Sequence, residues 1–281
     1  MNFIKNPSYF QVLSCFFFAI LGYQIKIIIE FTNVQTIVFF RCFIGSIIII
    51  VYILLQKKSV DFFKSKNIFL QFLRALAGIF AMYFGYSALS FINLAQASTL
   101  SFTKVFFVSF FSLIFFKEKI KKENLFYSAL GFIGIYLVIE PSQISSLNGT
   151  INSLISAIFV ALGIILMSYL SRYDQSLTIL FFHSIFSTAL CLLFFYSYIN
   201  FLETKYIANL ILITLTAIIG QFFNIESYKN GKTNTIIIVS YTRVIFSFIL
   251  GYVFLNEVIS INILIGLFMI ILATFLASSK R

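Results

Sequence analysis

The stretch Ser101-Phe102-Thr103-Lys104-Val105 recurs further along the chain as Ser240-Tyr241-Thr242-Arg243-Val244. Each copy places a basic residue in the middle of a long apolar run. Other matched residues share one slightly longer offset, namely Thr36 and Thr178, Gly78 and Gly220, and Tyr86 and Tyr228. The matches keep their order along the chain, and the offset between the copies changes only slightly from one group of matches to the next. This predicts that the chain contains an internal duplication.

The composition is that of an integral membrane protein. Of the 281 residues, 60% are apolar and only 10% are charged, whereas soluble domains average about 45–50% apolar and about 25% charged residues. The mean hydropathy is +1.02. So few polar side chains could not cover a soluble globule, and no polar stretch is long enough to fold as a separate domain. We therefore predict an all-α integral membrane protein.

Ten membrane crossings fit into the chain, because one crossing needs ~20 apolar residues. Hydropathy places them at 10–29, 34–55, 68–90, 94–116, 124–140, 151–171, 176–199, 207–228, 233–255 and 260–277. Each copy of the duplication holds five crossings, and since five is odd, the second copy starts from the opposite side of the membrane. The prediction is a 5+5 inverted-topology repeat with domains at 8–140 and 151–278, an architecture typical of secondary transporters.

Basic residues lie mostly on one side of this predicted bundle. With a cytoplasmic N-terminus, the cytoplasmic segments hold fourteen of the twenty: Lys5, Lys57, Lys58, Lys64, Lys66, Lys117, Lys119, Lys121, Lys122, Arg172, Lys229, Lys232, Lys280 and Arg281. This asymmetry predicts that both termini are cytoplasmic, and it accounts for most of the net charge of +11 without nucleic acid. The abundance of Ile, Phe, Lys, Asn and Tyr is typical of AT-rich bacterial genomes, so we expect the bacterial cytoplasmic (inner) membrane.

Lys104 and Arg243 are the strongest candidates for a binding site. Each is the eleventh residue of its predicted span, near the bilayer centre, where a basic residue costs ~2.5–3.5 kcal/mol or more. Such a residue must face a wet cavity, an acidic partner or an anionic ligand. Ser101 and Ser240 precede them by three residues on the same helix face, which favours a polar cavity. The alternative is a structural bond to a helix-end carbonyl or a buried carboxylate.

A second matched pair, Arg41 and His183, occupies the eighth position of its spans. His183 could relay a proton or be a neutral core residue with a hydrogen bond, and Arg41 could bind substrate or pack the two halves together. Further candidates could line a site by stacking or hydrogen bonding, although each alone could be a packing residue: Tyr86, Asn224, Tyr228 and Tyr241.

Two charged residues near the predicted cytoplasmic ends of helices have simpler interpretations. Glu226 could pair with Lys229 three residues later, or it could couple transport to protons or balance a cation in a cavity. Arg74 is expected to extend its guanidinium towards the membrane surface. Three cysteines, Cys15, Cys42 and Cys191, match no metal or redox spacing and are predicted to be reduced packing residues.

Several further motifs resemble tandem EamA-type domains of the drug/metabolite transporter superfamily. The residues that carry the resemblance span the whole chain: Phe39-Phe40-Arg41, Leu73-Arg74-Ala75, Tyr86-Ser87-Ala88-Leu89, Ser101 to Lys104, Phe116 to Ile120, Gly131, Gly134, Glu140, Pro141, Ser240 to Arg243 and Leu255-Asn256-Glu257. The resemblance implies ten helices, an inverted repeat and transport of small organic metabolites by alternating access. Many members carry a proline midway along the fourth and ninth helices; this chain has neither, which puts helix-kink gating there in doubt.

Two functional hypotheses follow from the sequence. In the first, a secondary carrier moves a zwitterionic or anionic solute; the pattern is similar to S-adenosylmethionine uptake carriers and equally to amino-acid and metabolite exporters. In the second, an integral-membrane enzyme acts on a lipid-linked substrate. No nucleotide-binding loop, metal-ligand cluster or nucleophile motif occurs, so we expect no metal and no cofactor. The expected partners are a small solute and membrane lipids, and the chain is expected to be a monomer or homodimer.

Overall fold

The computed structural model describes residues 6–55, 60–116, 122–139, 146–200, 206–255 and 261–279. These ranges contain twelve α-helices: α1 (Pro7–Ile28), α2 (Val34–Leu55), α3 (Ile68–Phe91), α4 (Leu94–Leu100), α5 (Lys104–Phe116), α6 (Lys122–Ile139), α7 (Leu147–Leu170), α8 (Ser176–Phe195), α9 (Ile207–Asn230), α10 (Thr233–Val239), α11 (Thr242–Leu255) and α12 (Ile261–Ser279). Some residues used in the sequence analysis lie outside the described ranges: Lys5, Lys57, Lys58, Lys117, Glu118, Lys119, Ile120, Lys121, Glu140, Pro141, Asn256, Glu257, Lys280 and Arg281.

The described chain is all-helical and has the apolar lengths of a multi-pass membrane protein, which confirms that part of the prediction. Seven segments are long and apolar enough to cross a membrane: Pro7–Ile28, Val34–Leu55, Ile68–Phe91, Leu147–Leu170, Ser176–Tyr198, Ile207–Asn230 and Thr233–Phe254. Three shorter apolar segments lie at the remaining predicted spans: Ser101–Phe116, Leu125–Gly134 and Leu264–Leu276.

Short polar residues set where several helices begin. The Asn6 side chain accepts a hydrogen bond from the Ser8 amide at 3.1 Å, and Pro7 occupies the first turn of α1. Asn67 caps α3 in the same way by accepting from the Leu70 amide at 3.1 Å. Asparagine is a favoured N-cap, and proline fits the first turn because that turn has no internal hydrogen bond to lose.

Two predicted spans are interrupted, and the expectation of unbroken helices there is wrong. The span 94–116 passes from α4 through a 3-10 turn at Ser101–Thr103 into α5, which begins at Lys104. The span 233–255 breaks between α10 and α11, and Arg243 is the second residue of α11. Each matched cation therefore lies just beyond a break in its helix.

Hydroxyl side chains, and not prolines, lie at these breaks. Thr103 Oγ1 donates to the Leu100 carbonyl at 2.9 Å, and Thr242 Oγ1 donates to the Val239 carbonyl at 2.9 Å. Ser240 Oγ also donates to the Ile237 carbonyl, at 2.6 Å. Such bonds compete with the regular helix ladder and bend it, and 3-10 turns inside helices often mark hinges. These residues are visible in the sequence, but the absence of prolines from both spans gave no sign that the helices break there.

The helices pack in pairs that join the first part of the chain to the second. The most extensive contacts are those of α3 with α7, α1 with α9, and α6 with α12. Helix α2 packs on α8, while the interrupted spans cross each other, so that α4 contacts α11 and α5 contacts α10. This interleaving leaves the interior of the bundle bounded by residues from both copies of the duplication.

Polar contacts connect neighbouring helices at both ends of the bundle. The Asp174 carboxylate accepts hydrogen bonds from Ser65 Oγ, from the Lys66 amide at 3.1 Å and from Gln71 Nε2 at 2.8 Å, which holds the α7–α8 connection to the start of α3. At the start of α2, Asn33 Nδ2 donates to the Tyr198 carbonyl at 2.7 Å. These contacts fix the helices around the interior.

Candidate functional site

A cavity of about 220 Å³ lies between the two copies. It is several times larger than the ~30 Å³ share of one water molecule in the liquid, so it has room for a small organic solute. Nine of the residues singled out in the sequence line it: Arg41, Tyr86, Ser101, Lys104, His183, Asn224, Tyr228, Ser240 and Arg243. The fold brings these residues together around one cavity. Their role in binding a solute stays a prediction.

Lys104 and Arg243 form one basic corner of the cavity. Lys104 is only 6% exposed, and its amine lies 4.5 Å from the centre of the Phe102 ring, within cation–π range. The Arg243 guanidinium carbon lies 5.8 Å from the centre of the Phe18 ring. Within the described ranges, Arg243 Nε is buried without a hydrogen-bond partner.

Arg41 and His183 contribute to a second basic corner. Arg41 Nη1 donates to the Tyr86 hydroxyl and to Met82 Sδ, the latter at 2.8 Å. His183 Nδ1 lies 3.5 Å from Ser187 Oγ. Gly78 makes room for the imidazole, because a Cβ at this position would overlap the His183 ring. The matched pair predicted from the duplication thus lies on one wall of the cavity.

Arg74 also lines the cavity, and the expectation that it reaches towards the membrane surface is wrong. It is 4% exposed, and its Nη2 donates to Gln221 Oε1 at 3.4 Å. Its Nη1 is buried and has no hydrogen-bond partner in the part of the chain that the structure describes. A signal for this position was present, since Arg74, Gly78 and Gly85 recur on one helix face, which is typical of a helix that borders a cavity.

Tyr241 is not among the residues that line the cavity, and a role for it in binding a solute stays a prediction. Its ring packs where a side chain on Gly131 would otherwise lie, and its hydroxyl donates to the Ser128 carbonyl at 3.3 Å. Glu226 lies outside the cavity lining as well, and its carboxylate accepts a hydrogen bond from the Ser176 hydroxyl. A coupling role for Glu226 stays a prediction.

The remaining polar wall belongs largely to α9. Asn224 Nδ2 lies 3.7 Å from Met167 Sδ, a weak contact that leaves the amide available for a stronger partner. The Tyr228 hydroxyl is buried and has no hydrogen-bond partner among the described residues. Buried polar groups normally find a partner, and within the described residues this hydroxyl has none.

The cysteines agree with the sequence prediction. All three are free and buried. Cys15 lines the cavity, and its Sγ lies 3.5 Å from the Ser240 carbonyl. Within the described ranges, no group of three or more metal-ligating side chains is assembled.

Comparison with known proteins gives one family and several relatives. The model of the EamA-like transporter family matches residues 8–140 and 147–279. The chain is 23% identical over 285 residues to the pseudopaline exporter CntI of Pseudomonas aeruginosa, covering 100% of this chain and 99% of that protein. It is 24% identical over 269 residues to mouse solute carrier family 35 member G1, covering 89% of this chain and 72% of that protein. One crystal structure is similar in fold, with a TM-score of 0.73 at 15% identity, covering 96% of this chain and 94% of that one.

Proposed function

Because the chain belongs to the EamA-like transporter family, we propose that it is a secondary transporter that moves a small organic metabolite by alternating access. Its named relatives are transporters, which favours a carrier over an enzyme acting on lipid-linked substrates. The observation that carries the proposal is the central cavity, which residues from matched positions of the two copies line together. A site between repeats is where secondary transporters bind their solutes.

Ten crossings in a 5+5 inverted repeat, with repeats at 8–140 and 151–278, would explain the packing. The offset that relates Thr36 to Thr178 also carries α1 onto α7 and α3 onto α9, so the α3–α7 contact becomes the α9–α1 contact. Ser14 Oγ donates to the Gly220 carbonyl at 2.9 Å, and its match Ser156 donates through Oγ to the Ala81 carbonyl at 2.8 Å. This exchange of partners is what a two-fold relation between repeats produces.

The two broken spans would act as the moving parts. Their breaks lie next to Lys104 and Arg243, so a change of angle at either break displaces a cation of the site. Opening the α4–α5 span would expose the cavity to one side, and opening the α10–α11 span would expose it to the other. Hinges at a few residues near a bound ligand are a common basis of such motions.

The solute would be zwitterionic or anionic, of the amino-acid-like or S-adenosylmethionine-like class expected from the sequence. Its anionic group would lie on Lys104 and Arg243, with Ser101 and Ser240 as hydroxyl donors. The remaining wall residues would hold the rest of the molecule: Arg41, Tyr86, His183, Asn224 and Tyr228. The protein would sit in the bacterial cytoplasmic membrane with both termini inside, as a monomer or homodimer.

A flux measurement tests the carrier. Proteoliposomes are incubated in a bacterial metabolite extract, and the solutes retained inside are identified by mass spectrometry. We expect at least one solute to accumulate chemically unchanged, and accumulation to be lost in Lys104→Ala. Lys229→Ala, on the exposed end of α9, is the control and should accumulate the solute normally. No accumulation, together with turnover of an added lipid phosphate, would support the enzyme instead.

A further inference from the structure

We propose that the cavity binds a solute with two anionic groups, one at Lys104 and Arg243 and the other at Arg41, Arg74 and His183. The inference rests on the proposed carrier function and narrows its substrate from any zwitterion or anion to a dianion. It follows from the charge of the lining, from the division of that charge into two corners, and from buried donors without partners.

The charged part of the described lining is entirely basic. It contains three guanidinium groups, one amine and one imidazole, and arginine stays charged in proteins. None of the acids whose side chains the structure describes lines the cavity: Glu30, Glu123, Asp174 and Glu226. A buried charge without an opposite partner is costly. Within the described residues no side chain supplies the balancing negative charge, and a bound anion would supply it.

The basic side chains form two corners and not one. Lys104 and Arg243 lie at the starts of α5 and α11, beside the broken spans. The His183 ring instead packs against Gly78 of α3, one turn from Arg74, and Arg41 donates to Met82, one turn further along α3. One anionic group cannot contact all five side chains, because each ion-pair hydrogen bond needs a donor–acceptor distance of about 2.8 Å.

Each corner contains a buried donor that lacks a partner. Arg243 Nε is such a donor in the first corner, and Arg74 Nη1 is one in the second. Both atoms belong to the described residues, and neither finds an acceptor among them. A carboxylate or phosphate oxygen at each position would satisfy the donor with a charge-assisted hydrogen bond, the strong kind.

An apolar part of the wall suits a short carbon skeleton. Met82, Phe159 and Ile164 line the cavity. Gly163 also lines it, and a Cβ built on Gly163 would meet no described atom within 4 Å. The solute would therefore carry its two anionic groups at opposite ends of a small organic body.

The same argument disfavours a solute with net positive charge. The sulfonium and ammonium groups of S-adenosylmethionine would meet only cations and neutral groups in the described lining. An amino acid without an acidic side chain would satisfy one corner and place its ammonium near the other.

Ligand-induced thermal shifts of the purified protein test the inference directly. The probes are glutarate and adipate as dianions with a carboxylate at each end, butyrate as a monoanion, glutamine as a zwitterion, and S-adenosylmethionine as a cation. Binding to the folded state alone raises its apparent stability with ligand concentration. The variants are Lys104→Gln and Arg74→Gln, one for each corner, with Lys229→Gln as the matched control.

We expect a dianion to bind more tightly than butyrate, glutamine and S-adenosylmethionine. Each corner variant should weaken the dianion about 30-fold or more, the lower range for removing one partner of a buried ion pair. The same variants should change the affinity for butyrate by only about 3-fold or less, since one corner remains intact for a single carboxylate. Lys229→Gln should match the unmodified protein.

Tighter binding of glutamine or S-adenosylmethionine than of both dianions would overturn the dianion assignment, as would a failure of both dianions to stabilise the protein. Equal weakening of butyrate and glutarate in each variant would overturn the two-corner arrangement. The transporter proposal fails separately: proteoliposomes that bind a probe without moving it would contradict transport and leave the binding class intact.

Discussion

At the scale of single residues, position along an apolar run predicted some of the site but not all of it. Lys104 and Arg243 stand out in the sequence because a charge at the bilayer centre needs a reason. Arg74 did not stand out, because a basic residue near a helix end can reach the surface. Its burial depends on α9, which supplies Gln221 as a partner. Nothing in the sequence shows that Gly131 lies against the ring of Tyr241.

The position of His183 depends on the glycine that faces it. In Gly78→Ala the new Cβ would overlap the imidazole, so we expect a loss of stability of about 1–3 kcal/mol, the usual range for overpacking. The measurement is the melting temperature of the purified protein. Gly163→Ala is the matched control, because no described atom lies within 4 Å of its Cβ; it should not lower the melting temperature. Equal melting temperatures for Gly78→Ala and the unmodified protein would show that His183 lies elsewhere.

At the scale of helices, hydropathy located the elements well and their interruptions poorly. The predicted span 34–55 coincides with α2, and 68–90 ends one residue before α3 does. Hydropathy measures only how apolar a segment is, so it cannot distinguish a continuous helix from α4 and α5 joined by a turn. Hydroxyl-to-carbonyl bonds of Thr103, Ser240 and Thr242 lie at the breaks, but Thr274 makes the same bond within the uninterrupted α12, so the bond alone does not predict a break.

Removing one such bond should affect movement more than binding. Thr242→Val deletes the bond to the Val239 carbonyl at a residue that does not line the cavity. We expect transport several-fold slower with little change in affinity for the solute, measured as initial flux and thermal shift on the same preparation. Thr274→Val is the control, because Thr274 makes a similar 2.9 Å bond to the Ile270 carbonyl within the uninterrupted α12. Equal slowing of transport in both variants would contradict a special role of the α10–α11 break in the movement.

At the scale of the whole molecule, the duplication was the most informative feature of the sequence. It singled out Lys104 with Arg243 and Arg41 with His183 as matched pairs, and all four residues line one cavity. The duplication could not predict which face of each helix turns inward, because nearly every face is apolar in such a chain. The net charge of the cavity became visible only when Arg74 was found inside it.

The central claim is that this cavity opens in turn to each side of the membrane. A single cysteine at Gly163, which has room for a side chain, would report this opening after Cys15, Cys42 and Cys191 are replaced by alanine. A membrane-impermeant thiol reagent is applied from one side of oriented proteoliposomes and then, in a separate sample, from the other. The account predicts labelling from both sides, and protection by a bound dianion in each case. Labelling from one side only, with and without solute, would contradict it.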